Sequence, residues 1–306
     1  MFVHRTPRHV TWKVPLRFAL WAAAVCLLIA AGEAVRAQSK GPAVRPNTAA
    51  LPTVQDVLKK AIERAKWSDE QKFENKYAWT RHQITEQYDS KGNVKKREDK
   101  VYQVFPIDGE SYSRLVQKDG KSLAGRELRV EQENERKFRE TVARKKRQPQ
   151  SAHRKKDYVD DLKFDAVLIA RYQWDVTGRE AVNGRPAFIL SFQPRPNWPV
   201  KRIIDRLLNR AAGRLWVDEK DYEIARVDLH LAENVSAWGG ILASVKKFVL
   251  RFEQTKVDQM AWLPSYIDGY LDGRILIKTL RVKVLEQHSE FRPATVAAAQ
   301  PTPTKK

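Results

Sequence analysis

The residue types that do chemistry in enzymes are present in this chain, but their spacing does not assemble a catalytic site. Asp160 with Asp161, and Asp218 with Asp221, are the carboxylates near enough to act as acid and base. Both pairs are better explained as residues that begin a helix or form a turn than as a catalytic acid and base. Histidines beyond the N-terminal segment are scattered without metal-ligand spacing: His82, His153, His230 and His288. The sequence therefore predicts no catalytic residue, no metal site, no cofactor and no enzyme.

An amphipathic segment is the sharper candidate for a binding function. Residues 199–212 predict a helix, because Pro199 suits the first helical position and Gly213 suits the exit. Its apolar stripe either covers the open side of a sheet as a lid for cargo or lies permanently in the core. Two tryptophans at element ends are candidates for the lip of a cavity. The candidate lipid-binding residues are Trp198, Val200, Ile203, Ile204, Leu207, Leu208 and Trp238.

Positive charge is the second feature with a functional meaning. The chain has 57 Lys and Arg against 37 Asp and Glu, a formal net charge of +20, and such a field favours anionic partners. Its densest part, residues 144–156, is either a solvated loop or a contact with an anionic membrane surface. The candidate contacts are Lys145, Lys146, Lys155 and Lys156.

The first 37 residues predict a secretory signal peptide. Four basic residues precede the apolar run: Arg5, Arg8, Lys13 and Arg17. The run from Phe18 to Ala31 is shorter than the ~20 residues that span a bilayer, and its small-residue exit predicts cleavage after Ala37. An uncleaved inner-membrane anchor is the alternative. We expect a periplasmic protein without a nucleic-acid partner and, since Cys26 is the only cysteine, without a disulfide.

Composition divides the rest of the chain into three parts. Residues 38–50 are small and polar and predict a linker, and residues 292–306 predict a disordered tail. Between them, residues 51–291 predict one folded domain with a charged insertion at about 124–156. Apolar residues at helical spacing predict its first helix at 53–66.

The remaining elements are mainly strands. Asn183-Gly184 is the strongest hairpin signal, and residues 214–286 read as a meander of strands with a turn near Asp272-Gly273. The charge-laced stretch 126–147 is either an exposed helix held by ion pairs or a flexible insertion. Together these elements predict an α+β fold in which helices cover a strongly curved antiparallel sheet of about eight to eleven strands.

Turn and strand motifs in the second half of the domain resemble one protein family. These motifs are Asp175–Glu180 followed by Val182–Ala187, Gly213–Asp218 followed by Tyr222–Val227, and Trp262–Ser265. They are similar to strand pairs of the outer-membrane lipoprotein-sorting, LolA-like family. The resemblance implies an incomplete antiparallel barrel closed by helices, whose apolar interior holds an acyl chain or a lipidated partner.

Two functional hypotheses follow from the residues and the resemblance. The first is a periplasmic, non-enzymatic binding or carrier protein for lipid or lipidated protein, with an anionic membrane surface as a further contact. The alternative is an envelope interaction or sensor module of the same fold, in which the protein's own side chains fill the cavity and its surface binds the partner.

Overall fold

A computed structural model describes residues 50–147, 163–201, 203–237, 243–275 and 278–294. Trp238, Lys155 and Lys156 lie outside the described residues, as do the predicted signal peptide and most of the predicted linker and tail. For Lys145 and Ile203 only the backbone is described.

The described residues form one antiparallel sheet of twelve strands, one more than the upper end of the predicted range of eight to eleven. In chain order the strands are β1 (Tyr77–Tyr88), β2 (Val94–Ile107), β3 (Glu110–Lys118), β4 (Lys121–Ser122), β5 (Tyr172–Val182), β6 (Arg185–Pro194), β7 (Ala211–Asp218), β8 (Ile224–Leu231), β9 (Val235–Ala237), β10 (Ala243–Lys256), β11 (Trp262–Ile275) and β12 (Lys278–Pro293). Their spatial order is β4-β3-β2-β1-β12-β11-β10-β8-β7-β6-β5, with β9 paired to β10. Since β4 and β5 end this order, the described sheet is open, as expected for an incomplete barrel.

Four α-helices accompany the sheet in the described part of the chain. They are α1 (Val54–Gln71), α2 (Gly125–Arg147), α3 (Ala166–Ala170) and α4 (Ile203–Leu208), and a 3-10 turn at Phe73–Asn75 follows α1. The hydroxyl of Thr53 caps α1 by accepting a hydrogen bond from the backbone N–H of Asp56. The helix ends at Gln71, and the next residue, Lys72, caps it in the left-handed conformation.

Side-chain alternation gives the sheet two distinct faces. Along β10, Phe248, Leu250 and Phe252 are buried under α1, whereas Val249 and Arg251 are exposed on the opposite side. We call the side that carries α1 the inner face and the other side the outer face. The main core lies on the inner face and consists of Val57, Leu58, Ala61, Phe164, Phe188, Leu190, Leu215, Val217, Ile224, Val227, Phe248, Leu250, Phe252, Ile267, Leu271, Leu280 and Val282.

The charged stretch after β4 is a helix that packs on the outer face. Tyr112 of β3 donates its hydroxyl proton to Glu131 of α2 at 2.7 Å, and its ring lies 4.9 Å from that of Phe138. Pairs along the helix, such as Arg136 with Glu140 at 2.6 Å, add the support expected at i,i+4 spacing. The helical alternative is therefore confirmed, and helices lie on both faces rather than covering one.

Two hairpin predictions have opposite outcomes. Asn183 and Gly184 both have positive φ, 49° and 77°, so the hairpin between β5 and β6 is confirmed. The turn predicted at Asp272-Gly273 is wrong, because both residues pair with β12 inside β11. A Cβ on Gly273 would lie 2.6 Å from the backbone oxygen of Ser244, so the close approach of β10 requires this glycine.

Besides α1, which ends at Gln71 and not at the expected residue 66, two predicted boundaries differ from the structure. The helix expected at 199–212 covers only Ile203–Leu208, because Ala211 and Ala212 pair with β8 as the start of β7. At the C-terminus, the composition predicts that Arg292 and Pro293 belong to the tail, but they pair with β1 at the end of β12. In both places strand pairing overrides the local composition.

Candidate functional site

The inner face is apolar across β6 to β12, where α1 covers it. Val57 and Ala61 of α1 are fully buried against the sheet, as are Leu190 of β6 and Val217 of β7. Protein side chains therefore fill the interior directly beneath α1.

Half-buried apolar side chains border this packed region. They belong to β8, β10 and β12, pack against the margin of the main core, and comprise Leu229, Leu231, Val245 and Val284. We call these four residues the apolar rim. Their partial exposure on an otherwise buried face makes them the part of the interior available to a hydrocarbon chain.

The inner face changes character where β12 meets β1 and β2. There Arg81, Glu286 and His288 are almost fully buried, with exposures of 6%, 3% and 8%. Gln83 donates a hydrogen bond to Glu286 at 2.9 Å, and the Arg81 guanidinium lies 4.3 Å from the centre of the Tyr102 ring. These residues form a polar end of the inner face.

His288 bridges two acceptors in this polar end. Its Nδ1 lies 3.0 Å from the carbonyl oxygen of Pro264, and its Nε2 lies 3.2 Å from a carboxylate oxygen of Glu286. Burial by itself raises the pKa of Glu286, but Arg81 and His288 together hold this pKa below its usual range. Glu286 is therefore an anion that offsets the charge of the buried cation Arg81.

Further charges continue along the inner side of β2. Burial alone raises the pKa of Glu98, but hydrogen bonds from Lys100 and Lys96 lower it to about 2. Both ammonium groups lie close to this one carboxylate, at 2.6 Å for Lys100 and 2.5 Å for Lys96. The polar end thus contains more cations than anions, which suits an anionic or dipolar group.

The described members of the predicted lid lie around α4, at the side of the sheet formed by β5. Ile204 and Leu208 are buried and pack with Leu207 and Leu168 in a small cluster of their own. Val200 is 50% exposed, so it does not share their surroundings.

A buried ion pair holds α4 in place. Arg171, which precedes β5, donates to Asp205 of α4 at 3.0 Å, and both side chains are nearly inaccessible. Tyr172 donates its hydroxyl proton to the carbonyl oxygen of Leu208 at 2.9 Å, and Asn209 donates to the carbonyl oxygen of Trp198 at 2.6 Å. This pair could not be predicted from the sequence, because its partners are 34 residues apart and no local pattern joins them.

The candidate membrane contacts are only partly described. Lys146 is exposed near the end of α2 and pairs with Asp108 at 3.0 Å, so this lysine is not a free cation. Its assignment to a membrane surface stays a prediction.

Of the carboxylates considered for catalysis, Asp160 and Asp161 lie outside the described residues, whereas Asp218 has structural contacts. Asp218 is fully buried and accepts hydrogen bonds from the backbone N–H groups of Lys220 and Asp221. Arg185 donates two further bonds to Asp218, at 2.7 and 2.8 Å. This carboxylate is therefore saturated by Arg185 of β6 together with the turn between β7 and β8.

The described residues contain neither a metal-binding cluster nor a membrane-spanning helix. In that part of the chain no group of three or more His, Cys, Asp or Glu is placed to hold a metal ion. No described helix is both long enough and apolar enough to cross a bilayer.

Comparison with known proteins gives remote structural similarities. No family model and no curated protein matches the chain. One similar solved structure is an outer membrane lipoprotein-sorting protein domain from Vibrio parahaemolyticus, which is 14% identical in sequence. The similarity covers 79% of this chain and 93% of that chain, with a TM-score of 0.34. A LolA superfamily protein from Nitrosomonas europaea is 12% identical in sequence, and the similarity covers 79% of this chain and 94% of that chain, with a TM-score of 0.30.

A third similar structure is a chain of the Pseudomonas aeruginosa MucA/MucB complex, with 12% identity, coverage of 78% and 99%, and a TM-score of 0.25. The first two structures carry the family description that the strand motifs of this sequence resemble. At these TM-scores and identities the likeness carries no argument about the function of this chain, which has to come from its own geometry.

Proposed function

We propose that this protein is a non-enzymatic binding protein of the bacterial periplasm that takes up a lipid or a lipidated protein on its inner face. The observation that carries the proposal is the division of this face into an apolar half and a polar end. An amphiphile has the same two parts, so its hydrocarbon would lie along the apolar rim and its head group near Arg81 and β2.

Hydrocarbon burial is strong enough to drive such binding. Each methylene removed from water contributes about 0.8 kcal/mol before ordering costs. Even the part of an acyl chain that contacts Leu229, Leu231, Val245 and Val284 would therefore supply several kcal/mol. The α4 residues Ile204, Leu207 and Leu208, together with Trp198, Val200, Ile203 and Trp238, are proposed as the lid and cavity lip of this site.

Lipid extraction and a binding assay test the proposal. The protein is purified from its native host and extracted with organic solvent, and the extract is analysed by mass spectrometry. Uptake of a fluorescent fatty acid is then compared between the wild type, the inner-face variant L229Q/V284Q and the outer-face control V249Q. We expect stoichiometric lipid, and at least tenfold weaker uptake for L229Q/V284Q alone.

The control separates a specific site from general apolar adsorption. Val249 lies on the same sheet but is 40% exposed on the outer face. Absence of bound lipid together with absence of uptake by the wild type would contradict the proposal, as would equal losses in both variants. Thermal melting identifies variants that fail to fold.

The packing beneath α1 favours a second candidate. Because Val57, Ala61 and Val217 are fully buried there, part of the interior is already filled by the protein itself. An envelope interaction or sensor module would need no open cavity, because its partner would bind to the protein surface. A wild type that contains no lipid and takes up none would support this second function.

A further inference from the structure

A groove on the outer face lies opposite the proposed lipid site. It encloses a cavity of about 740 Å³ whose lining crosses six adjacent strands, from Ser191 in β6 to Lys283 in β12. Val249 of β10 lies in its floor and is 40% exposed. The sheet separates this groove from the inner face. Leu229 is the one apolar-rim residue among the groove's lining, and no described residue of α4 lines it.

Part of the charge in the groove is internally balanced. Arg251 donates from Nε and Nη2 to the two carboxylate oxygens of Asp228, both at 2.8 Å. Lys283 lies 3.9 Å from Asp268 on the neighbouring strand. These two pairs account for both carboxylates that line the groove.

The other two cations of the groove have aromatic supports instead of anionic partners. The Arg214 guanidinium lies 5.1 Å from the centre of the Trp216 ring, and the Lys247 ammonium lies 5.2 Å from that of Tyr270. Neither Arg214 nor Lys247 forms an ion pair with a residue in the described part of the chain. A cation held over a ring keeps its charge available to a ligand.

The shape of the groove selects among anionic partners. An extended chain can follow a groove whose lining crosses six strands, whereas a single lipid head group would occupy only part of it. Six strands spaced ~4.8 Å apart span about 24 Å, which about seven residues of extended polypeptide match. An apolar side chain in the middle of such a segment would contact Val249, and acidic residues would pair with Arg214 and Lys247.

From this charge and shape complementarity we infer that the outer-face groove binds an extended acidic segment of a partner protein. The groove contributes four cations against two carboxylates, so acidic side chains find unbalanced charge there. The inference concerns a different face from the proposed lipid site, and each of the two can fail without the other.

A labelled peptide tests the inference. The probe is a fluorescein-labelled heptapeptide with three glutamates on each side of a leucine, and its counterpart has glutamines in place of the glutamates. Anisotropy is measured for the wild type, for R214E/K247E, and for K59E/K66E. The last variant makes the same charge change at two exposed lysines of α1, outside the groove.

We expect the wild type to bind the glutamate peptide and not the glutamine peptide. The affinity for the glutamate peptide should be at least tenfold weaker in R214E/K247E and should change less than twofold in K59E/K66E. Equal loss in both variants would overturn the inference, because binding would then follow net charge alone. Absence of peptide binding would also overturn it. Binding of phosphatidylglycerol vesicles that R214E/K247E abolishes, without peptide binding, would assign the groove to a membrane instead.

Discussion

At the residue scale, the buried charges of the polar end depend on one another. Arg81 and Glu286 are both nearly inaccessible, and a buried charge is tolerated only when opposite charge and hydrogen bonds compensate it. Glu286 receives such support from Gln83 and His288. Replacing any one of these residues should therefore lower the free energy of unfolding.

Replacing Glu286 with glutamine should destabilise the fold by roughly 3–5 kcal/mol, because Arg81 would lose its balancing charge. Since the pKa of Glu286 is lowered in the folded protein, its contribution is complete above its unfolded pKa, ~4.3. That contribution is lost as the pH falls through the folded pKa. Urea unfolding at pH 7 and at decreasing pH values below 4 measures both effects.

The exposed α1 residue Glu63 provides the matched control. E63Q should leave the unfolding free energy within about 0.5 kcal/mol of the wild type. A difference between E286Q and the wild type that grows as the medium is acidified would show that the assigned charge balance is wrong.

Glycine positions give a second residue-scale prediction. A Cβ on Gly213 would lie 1.9 Å from the backbone oxygen of Asp228, whereas a Cβ on Gly269 would have no atom nearer than 3.7 Å. G213A should therefore force β7 away from β8 and cost about 1–3 kcal/mol, and G269A should cost clearly less. Equal unfolding free energies for the two variants would contradict this close approach.

At the element scale, α4 is a helix whose observed length differs clearly from the length predicted from the sequence. Apolar spacing predicted a helix of fourteen residues, but the helix has six because β7 recruits Ala211 and Ala212. What remains is held through Asp205 and Leu208 rather than by helical propensity, since a helix of this length is marginal alone. A lid role for α4 would thus depend on how readily its contact with Arg171 opens.

Asp205→Ala should release α4 by leaving Arg171 buried without its carboxylate. Hydrogen exchange of residues 203–208 should then accelerate more than exchange of β10, and fatty-acid uptake should become faster if α4 is the lid. Arg210→Ala, which breaks an exposed pair with Glu233, should change stability by no more than about 0.5 kcal/mol. Unchanged exchange in D205A would remove α4 from the proposed lid.

At the scale of the whole molecule, local patterns predicted elements better than their contacts. The period of apolar residues located α1, and Asn183-Gly184 located a hairpin, because both signals are local. The Arg171–Asp205 pair and the bond from Gln83 to Glu286 join residues 34 and 203 positions apart. Neither they nor the pairing of β1 with β12 could be predicted, since these contacts exist only once the sheet has formed.

The two faces of the one sheet suit different partners. The inner face combines apolar and polar halves, whereas the outer face presents a basic, aromatic groove. Successive side chains along each strand point to opposite faces of the sheet. A ligand on one face therefore does not compete for the surface of the other face. The glutamate peptide should therefore leave the affinity for a fluorescent fatty acid unchanged within twofold in a competition titration.

Photolabelling tests the central claim most directly, namely that the inner face holds hydrocarbon. A fatty acid with a diazirine at the end of its chain is bound and irradiated, and the labelled peptides are mapped by mass spectrometry. The account predicts label on Leu229, Leu231, Val245 or Val284, removed by excess unlabelled fatty acid. Label confined to the outer face around Val249, or label that no competitor removes, would contradict it.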